Sequence, residues 1–365
     1  MYLRQLSVIN FKNYAEKELD FCTKINCFVG NNGVGKTNLL DAIYYLSFCK
    51  SYFNSIDSQN ISHGEDFFVI QGVYTSSNDE EKTDEIYCAQ KRNHRKVFKI
   101  NKKEYERLAD HIGLFPLVMI SPADSDLIYD GSEHRRKFLD SAISQFDKAY
   151  LDNLINYNKV VSQRNALLKK FYELKSFDKA SLEIWDEQMI KYGQRIYDKR
   201  VHFLTEFLPL FRNYYKLISN SRENVDIIYD SQLNENPFET VLNKAIDKDR
   251  ILQYSTAGPH KDDLSFKIDD FPAKKFGSQG QQKSFIIALK LAQFDYIKSL
   301  KGYKPILLFD DIFDKLDNLR VEQLMKLVSD NNYGQVFITD TQEERIKHVF
   351  DKIDTDCKIF YLEQN

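Results

Sequence analysis

The amino-acid sequence predicts an α/β fold in which two halves of a phosphate-binding head flank a mainly helical insertion. Three observations support this prediction: a glycine-rich loop near the start of the chain, an apolar run ending in two aspartates near its end, and a long intervening stretch with almost no Gly or Pro. A chain of 365 residues is long enough for one domain with a large insertion. We expect the head to comprise residues 1–120 and 253–365, and the insertion to comprise residues 121–252. The insertion should contain two or three long helices with a break near 175–181, and the second half of the head should contain a helix at 279–300, a strand at 305–309, a helix, a strand at 335–339 and a helix.

The glycine-rich loop lies in the stretch FVGNNGVGKTNLLDAIYYLS, residues 28–47. Gly30, four further residues and then Gly35-Lys36-Thr37 fit the spacing of the P-loop. The apolar run before the loop is typical of a buried strand, and apolar residues recur after it at helical spacing. Glycines let several N–H groups converge on phosphate oxygens at a helix N-terminus, so the loop predicts binding of a nucleoside triphosphate.

The last two residues of the P-loop pattern have separate expected roles. The Lys36 ammonium is expected to reach the β- and γ-phosphates, and the Thr37 hydroxyl is expected to ligate Mg²⁺. The predicted nucleotide-binding residues of the loop form one continuous run: Gly30, Asn31, Asn32, Gly33, Val34, Gly35, Lys36 and Thr37.

An apolar run that ends in two carboxylates, KPILLFDD at residues 304–311, follows much later in the chain. A strand with this ending, beside the strand that leads into a P-loop, is where a Walker B aspartate lies. We expect Asp310 to hold Mg²⁺ through water and Asp311 to polarise the attacking water. Lys36, Asp310 and Asp311 are therefore the predicted catalytic residues, and Thr37 and Asp310 are the predicted Mg²⁺ ligands.

The stretch FGSQGQQKSFIIALKLAQF, residues 276–294, places Ser278, Gly280 and Gln281 at the start of a helix. It resembles the signature motif of ABC-type ATPases, in which a serine and a glycine contact the γ-phosphate of the nucleotide bound by the opposite subunit. A free helix N-terminus favours an anion, which fits that role. An ordinary helix with Ser278 as its N-cap is the alternative. Together with the two motifs above, the resemblance predicts an ABC-type P-loop ATPase head that binds ATP.

Within that superfamily the chain resembles the RecF family nearly from end to end. Beyond the three motifs, long blocks carry the resemblance: LSVINFKNY (6–14), SPADSDLIYDGSEHRRKFLD (121–140), YNKVVSQRNALLK (157–169) and STAGPHKDDL (255–264).

The sequence departs from the family pattern at several positions. Ala123 stands where an acidic residue is usual, and Glu133 stands where a proline is usual. The run at 313–317, FDKLD, differs from the Ser-Glu-Leu-Asp that the family tends to show. ABC-type heads often carry a histidine switch at the place of Thr339 and Asp340, so a sensor there must be a hydroxyl or a carboxylate.

The resemblance implies a DNA repair and replication protein with weak, DNA-dependent ATPase activity. ATP would join two heads into a homodimer, and the dimer would hold duplex DNA near its junctions with single-stranded gaps. Slow hydrolysis would then release the DNA. The implied partners are RecR and RecO, which help RecA to replace single-strand-binding protein, and the implied location is the cytoplasm.

Positive charge is local on a chain whose formal net charge is −3. The stretch KRNHRKVFKINKK, residues 91–103, is typical of a basic β-hairpin that contacts DNA or of a solvated edge whose charges oppose aggregation. Arg164 either joins the DNA contacts or ties the insertion to the head. Contacts of this kind hold the phosphate backbone without reading its sequence, and they weaken with salt. The candidate DNA contacts are Arg92, Arg95, Lys96, Arg135 and Arg136.

Composition and motifs weigh against other classes of protein. Five cysteines stand singly without a CxxC pair, which favours a reducing cytoplasm over a zinc site or a disulfide framework. No apolar run approaches the length of a membrane span. A transporter-type ATPase subunit is an alternative that the helical insertion and the GPHKDDL block weigh against and that partitioning to membranes would support. The insertion is too short for the coiled-coil arm of an SMC-like chromosome protein. A third alternative is a DNA-binding scaffold with a vestigial ATP site, and a turnover assay would distinguish it from an active ATPase.

Overall fold

The structure, a computed structural model, describes residues 1–76, 82–219, 223–312, 333–342, 344 and 356–363. Its strands are β1 Tyr2–Phe11, β2 Tyr14–Asp20, β3 Ile25–Val29, β4 Phe67–Thr75, β5 Thr83–Lys91, β6 Val97–Ile100, β7 Lys103–Glu104, β8 Leu117–Ile120, β9 Val225–Asp230, β10 Asp263–Ile268, β11 Phe271–Pro272, β12 Ile306–Phe309, β13 Val336–Asp340 and β14 Cys357–Tyr361. Its α-helices are α1 Lys36–Phe48, α2 Asp126–Tyr129, α3 Ser132–Ser144, α4 Lys148–Glu173, α5 Lys179–Ser219, α6 Phe238–Leu252, α7 Ala273–Phe276 and α8 Gln279–Lys301.

The elements follow the periodicity of the sequence. The long helices that we expected to break near 175–181 are α4 and α5, and the helix expected at 279–300 is α8. The helices expected after β12 and after β13, together with the departures at 313–317, lie outside the described residues. Among the helices of the described part of the chain, none is both long enough and apolar enough to cross a lipid bilayer.

The chain divides into two compact units, of which unit 1 comprises Met1–Asp124, Tyr214–Ser221 and Lys283–Asn365. One sheet of unit 1 is antiparallel, in the order β2-β1-β4-β5-β6-β7. The other is parallel, in the order β14-β3-β13-β12-β8. Every residue of the inner strands β3, β13 and β12 is buried, and so is every residue of β8 at one end of the order, as expected for a parallel sheet that is covered on both faces.

Aromatic side chains form much of the core of unit 1. Phe11 of β1, Tyr45 of α1 and Phe68 of β4 make edge-to-face ring pairs with centroids between 5.3 and 6.3 Å apart. Phe28 of β3 and Phe337 of β13 stack with centroids 6.2 Å apart. Because β3 and α1 both contribute to this core, the loop that joins them is anchored at both ends.

Unit 2 comprises Ser125–Asn213 and Arg222–Gln282. Its helices bury a row of aromatic residues, including Phe203 and Phe207 on α5, whose rings stack with centroids 4.9 Å apart. Its sheet is β11-β10-β9. The unit extends past residue 252, the predicted end of the insertion, because β10 pairs with β9. The residues of the signature motif therefore belong to unit 2.

Candidate nucleotide-binding site

The loop between β3 and α1 requires its three glycines. A Cβ on Gly30 would lie 2.4 Å from the carbonyl oxygen of Leu362. Gly33 and Gly35 have φ angles of 86° and 104°, which lie in the left-handed region. The loop therefore makes its turn with backbone conformations and close approaches that larger residues adopt only with strain, as the P-loop spacing predicts.

The side chain of Lys36 turns back into this loop. Its ammonium donates to the carbonyl oxygens of Gly30 at 2.7 Å and of Asn31 at 2.9 Å. Burial lowers the pKa of Lys36, while the carboxylates of Asp311 and Asp310 oppose that shift. A charged donor in this position is suited to phosphate oxygens at the mouth of the loop.

Two residues near the start of the chain support the loop from outside. Asn13 and Tyr14 both donate to the carbonyl oxygen of Val34, at 3.1 and 3.3 Å, and Asn38 of α1 donates to Asn13 at 2.7 Å. Burial raises the pKa of Tyr14 to about 12, so its hydroxyl remains a donor at neutral pH. Sequence reasoning assigned no role to either residue, although the LSVINFKNY block that contains them is a signal that could have found them.

The P-loop meets the end of β12 through a direct hydrogen bond. Thr37 donates to Oδ1 of Asp310 at 2.8 Å, so the structure brings together the two predicted Mg²⁺ ligands. A hydroxyl and a carboxylate are oxygen donors of the kind that Mg²⁺ prefers, so this pair fits the ion. Burial raises the pKa of Asp310, while hydrogen bonds from Thr37 and Thr339 oppose that shift.

The two motif strands are not neighbours, which corrects the expectation that β12 lies beside β3. Strand β13 lies between them and is in parallel register with both. Its penultimate residue is Thr339, whose hydroxyl donates to Oδ1 of Asp310 at 3.0 Å and accepts a hydrogen bond from the backbone N–H of Asp311 at 2.8 Å. Asp311 has a φ of 46°, in the left-handed region, and this acceptor helps to hold it there. A hydroxyl thus contacts the Asp310 carboxylate and the Asp311 backbone at the place where the sequence required a hydroxyl or carboxylate sensor.

The signature residues lie at the start of α8, in unit 2. Ser278 Oγ accepts the N–H of Gln281 at 3.3 Å, and the Gln281 side-chain oxygen accepts the N–H of Ser278 at 2.7 Å. This reciprocal pair is a capping box, so Ser278 does cap the helix. The Gln281 amide also donates to Glu223 at 3.0 Å, whereas Ser278 is exposed and Gly280 is half-buried. Contact of these residues with the nucleotide of a second chain stays a prediction.

The basic hairpin, residues 91–103, contains charges in two different environments. Arg92 and Arg95 are exposed in the turn between β5 and β6. Lys96 is only 10% exposed, and its ammonium lies 2.7 Å from the Asp57 carboxylate and 2.6 Å from the carbonyl oxygen of Cys49. This environment corrects the assignment of Lys96 as a DNA contact, because its charge is already neutralised inside unit 1.

The other two candidate DNA contacts have partners within unit 2. Arg135 of α3 pairs with both carboxylate oxygens of Asp263, at 2.6 and 3.0 Å. Arg136 donates to the carbonyl oxygen of Asp262 at 2.7 Å. Contact with DNA stays a prediction for both arginines, and it is weaker for Arg135 because a carboxylate already neutralises that charge.

Arg164 has neither of the roles that the sequence suggested. Its side chain is fully buried and lies 2.6 Å from Asp186 and 2.6 Å from Asp249, and it also donates to Ser255 at 3.0 Å. These partners lie on α5, on α6 and in the loop after α6. Arg164 therefore ties parts of unit 2 to one another, and it is shielded from any surface ligand.

The fold and this site define the class of protein: an ABC-type P-loop ATPase head with a helical insertion. The profile of the RecF/RecN/SMC N terminal domain matches residues 2–364. This match over nearly the whole chain, together with the full-length relatives described next, shows that the chain belongs to the RecF family. The DNA replication and repair protein RecF of Flavobacterium johnsoniae is 53% identical over 362 residues, which cover 99% of this chain and 100% of that protein. The protein of the same name from Bacteroides thetaiotaomicron is 50% identical, and the match covers 100% of this chain and 97% of that protein.

Two solved structures are similar to this chain. The structure of the recombination mediator protein RecF with ATP in the RecFOR pathway has a TM-score of 0.87 at 32% identity, covering 99% of this chain and 95% of that chain. The Smc head domain of Pyrococcus furiosus has a TM-score of 0.59 at 16% identity, covering 100% of this chain and 94% of that chain. The second likeness shows the fold alone.

Proposed function

We propose that the chain binds ATP with Mg²⁺ at the edge of the parallel sheet where β3, β13 and β12 end. The hydrogen bond between Thr37 and Asp310 carries this proposal, because it joins the P-loop to the Walker B strand through two suitable oxygen donors. The RecF relative whose structure was solved with ATP supports the choice of nucleotide. When bound, Mg²⁺ would neutralise charge on the β- and γ-phosphates. Lys36 would donate to the same phosphates, and Thr37 and Asp310 would hold the ion.

The exposed start of α8 supports closure of two chains around ATP. Ser278 caps this helix and is exposed, so the γ-phosphate held by a second chain can approach the positive end of the helix dipole. Two-fold symmetry would use this contact twice in a homodimer. ADP lacks the γ-phosphate, so the dimer would open after hydrolysis.

Hydrolysis should be slow. The Asp311 carboxylate would polarise the attacking water, and its backbone is held by Thr339 at the end of β13. Aspartate is one methylene shorter than the glutamate that ABC-type ATPases usually place there, so it should align the water less well. We expect turnover well below the median of ~10 s⁻¹ for enzymes, with stimulation by DNA.

DNA is the proposed polymer ligand. The RecF relatives are DNA replication and repair proteins, and Arg92 and Arg95 present exposed positive charge on the basic hairpin. Arg136 remains a candidate on unit 2. We propose that the ATP-bound dimer holds duplex DNA beside single-stranded gaps in the cytoplasm and, with RecO and RecR, helps to load RecA.

Sizing chromatography with ATP and gapped DNA tests the proposal as a whole. The chain should elute as a monomer with ADP, as a dimer with ATP, and with the DNA only when ATP is present. Fully single-stranded DNA of the same length serves as the matched control and should co-elute less. Equal co-elution with ATP and ADP would contradict the proposed link between nucleotide and DNA.

A further inference from the structure

The turn after β8, Ser121–Asp124, has no part in the function proposed above, yet its first residue contacts the Walker B carboxylate. Ser121 Oγ donates to Oδ2 of Asp310 at 3.4 Å. Thr37 and Thr339 donate to the other oxygen, Oδ1. Each oxygen of Asp310 therefore has a hydroxyl partner, and the partner of Oδ2 comes from this turn.

Asp124 closes the turn and connects it to α8. Its Oδ2 accepts the N–H of Ser121 at 2.8 Å, and its own N–H donates to the Ser121 carbonyl oxygen at 3.0 Å. Its Oδ1 lies 2.6 Å from Nζ of Lys290 and accepts a hydrogen bond from the hydroxyl of Tyr52. The side chains of Asp124 and Lys290 are 3% and 8% exposed, so the ion pair is buried.

A buried ion pair contributes little net stability, because the cost of desolvation offsets much of the attraction. Here the pair joins α8 to the turn, because the same Asp124 carboxylate also accepts the Ser121 N–H. Lys290 lies on α8 roughly three turns after Ser278, the cap of the same helix. A continuous series of contacts thus runs from α8 through Asp124 and Ser121 to Asp310, all within unit 1.

We propose that the Lys290–Asp124 pair is a positioning device that holds the Ser121 hydroxyl against Asp310 and so orients that carboxylate for Mg²⁺. Ser121, Asp124 and Lys290 act through Asp310 and are positioning residues. The inference rests on the proposed function, because it takes Asp310 as a ligand of Mg²⁺. Without the pair, the turn loses the group that aligns it, and Asp310 is held by Thr37 and Thr339 on one oxygen only.

The test uses Lys290→Met and Ser121→Ala, alone and combined, in the full chain. Both Mg²⁺-dependent ATP binding and ATP turnover are measured. The Mg²⁺ concentration for half-maximal ATP binding should rise about tenfold or more in each single variant, as for loss of an outer-shell partner of a metal ligand. Nucleotide binding in EDTA should stay within about twofold of the parent protein. The double variant should be no worse than the singles, because both act through one series of contacts.

Two further variants distinguish positioning from general damage. Lys298→Met removes a half-buried lysine of the same helix, whose ammonium lies 3.8 Å from Asp295 and has no contact with Asp124, and it should leave the Mg²⁺ requirement unchanged. Ser121→Thr keeps the hydroxyl and should restore most of the Mg²⁺ dependence. An unchanged Mg²⁺ requirement in Ser121→Ala, or effects of Ser121→Ala and Lys290→Met that multiply in the double variant, would overturn the inference. If Lys290→Met does not fold, Ser121→Ala decides alone.

The Mg²⁺ titration also separates this inference from the proposed function. A parent protein that binds ATP with Mg²⁺ but shows no turnover would contradict the proposed hydrolysis. The shift in Mg²⁺ requirement would still confirm or overturn the role of the pair.

Discussion

Two regions of unit 1 owe their predicted roles to charged residues in the sequence: the P-loop edge, where β3, β13 and β12 end, and the basic hairpin, residues 91–103. The charges of these two regions have different environments. At the P-loop edge, Lys36, Thr37 and Asp310 lie together as their spacing predicts. On the hairpin, Lys96 is paired with Asp57 inside the protein, whereas its neighbour Arg95 is exposed. A motif that is defined by backbone geometry fixes where each side chain points, but a count of charges does not say which of them face solvent.

The largest expected effect lies at the P-loop edge and concerns hydrolysis. Asp311→Asn should keep ATP binding but lower turnover by about 10² or more, because the amide cannot accept a proton from water. Phosphate release under saturating ATP measures the effect, and the closed dimer should live longer. Turnover at the parent rate would show that Asp311 does not act as the general base.

Lys36→Ala should lower ATP affinity by about a hundredfold, or ~3 kcal/mol, because it removes a charged donor to the β- and γ-phosphates. Calorimetric titration of ATP measures the loss. Lys91→Ala, at an exposed lysine of the hairpin, is the matched control and should leave ATP affinity unchanged. Equal affinity of the Lys36 variant and the parent protein would rule out the P-loop assignment.

On the hairpin, Lys96→Met should reduce the free energy of unfolding by about 2 kcal/mol, because Asp57 and the Cys49 carbonyl lose a buried charged partner. Urea denaturation gives the change, with Lys91→Met as the exposed control. If both variants are equally stable, Lys96 is a surface charge and returns to the set of candidate DNA contacts.

The smallest expected effect concerns DNA binding by the exposed charges of the hairpin. Reversal of Arg92 and Arg95 to glutamate should weaken DNA binding about equally for all sequences, and the slope of log affinity against log salt should fall by about two. Fluorescence anisotropy of labelled gapped DNA over a series of salt concentrations measures both quantities. Lys170→Glu, at an exposed lysine of α4, is the control. An unchanged slope would make the hairpin a solvated edge.

The sequence predicts the fold wherever a local pattern decides the structure. The apolar run of β3 and the helical spacing after Thr37 gave the strand and the helix around the P-loop, and the near absence of Gly and Pro gave α4 and α5. The end of unit 2 was not predictable in this way, because α8 begins in unit 2 and continues in unit 1 without a change in composition.

The parts of the site that sequence reasoning missed depend on contacts between distant residues. Asn13 and Tyr14 support the P-loop through the Val34 carbonyl oxygen, a contact that leaves no periodic trace in the sequence. Asp57, which neutralises Lys96, lies 39 residues before it in the chain. Burial of a lysine depends on such a partner, so composition alone could not separate Lys96 from its exposed neighbours.

In the proposed dimer, ATP held at the P-loop of one chain also contacts the start of α8 of the other chain. Light scattering with ATP, on the parent protein and on Ser278→Arg, tests this claim most directly. A long side chain at this exposed cap should block closure sterically while leaving Lys36 and Thr37 free to bind nucleotide. We expect a dimer of the parent protein, a monomer of the variant, and ATP affinities that agree within about threefold, since each P-loop acts within one chain. A variant that dimerises normally with ATP would contradict the proposed contact of Ser278 with the nucleotide of the other chain.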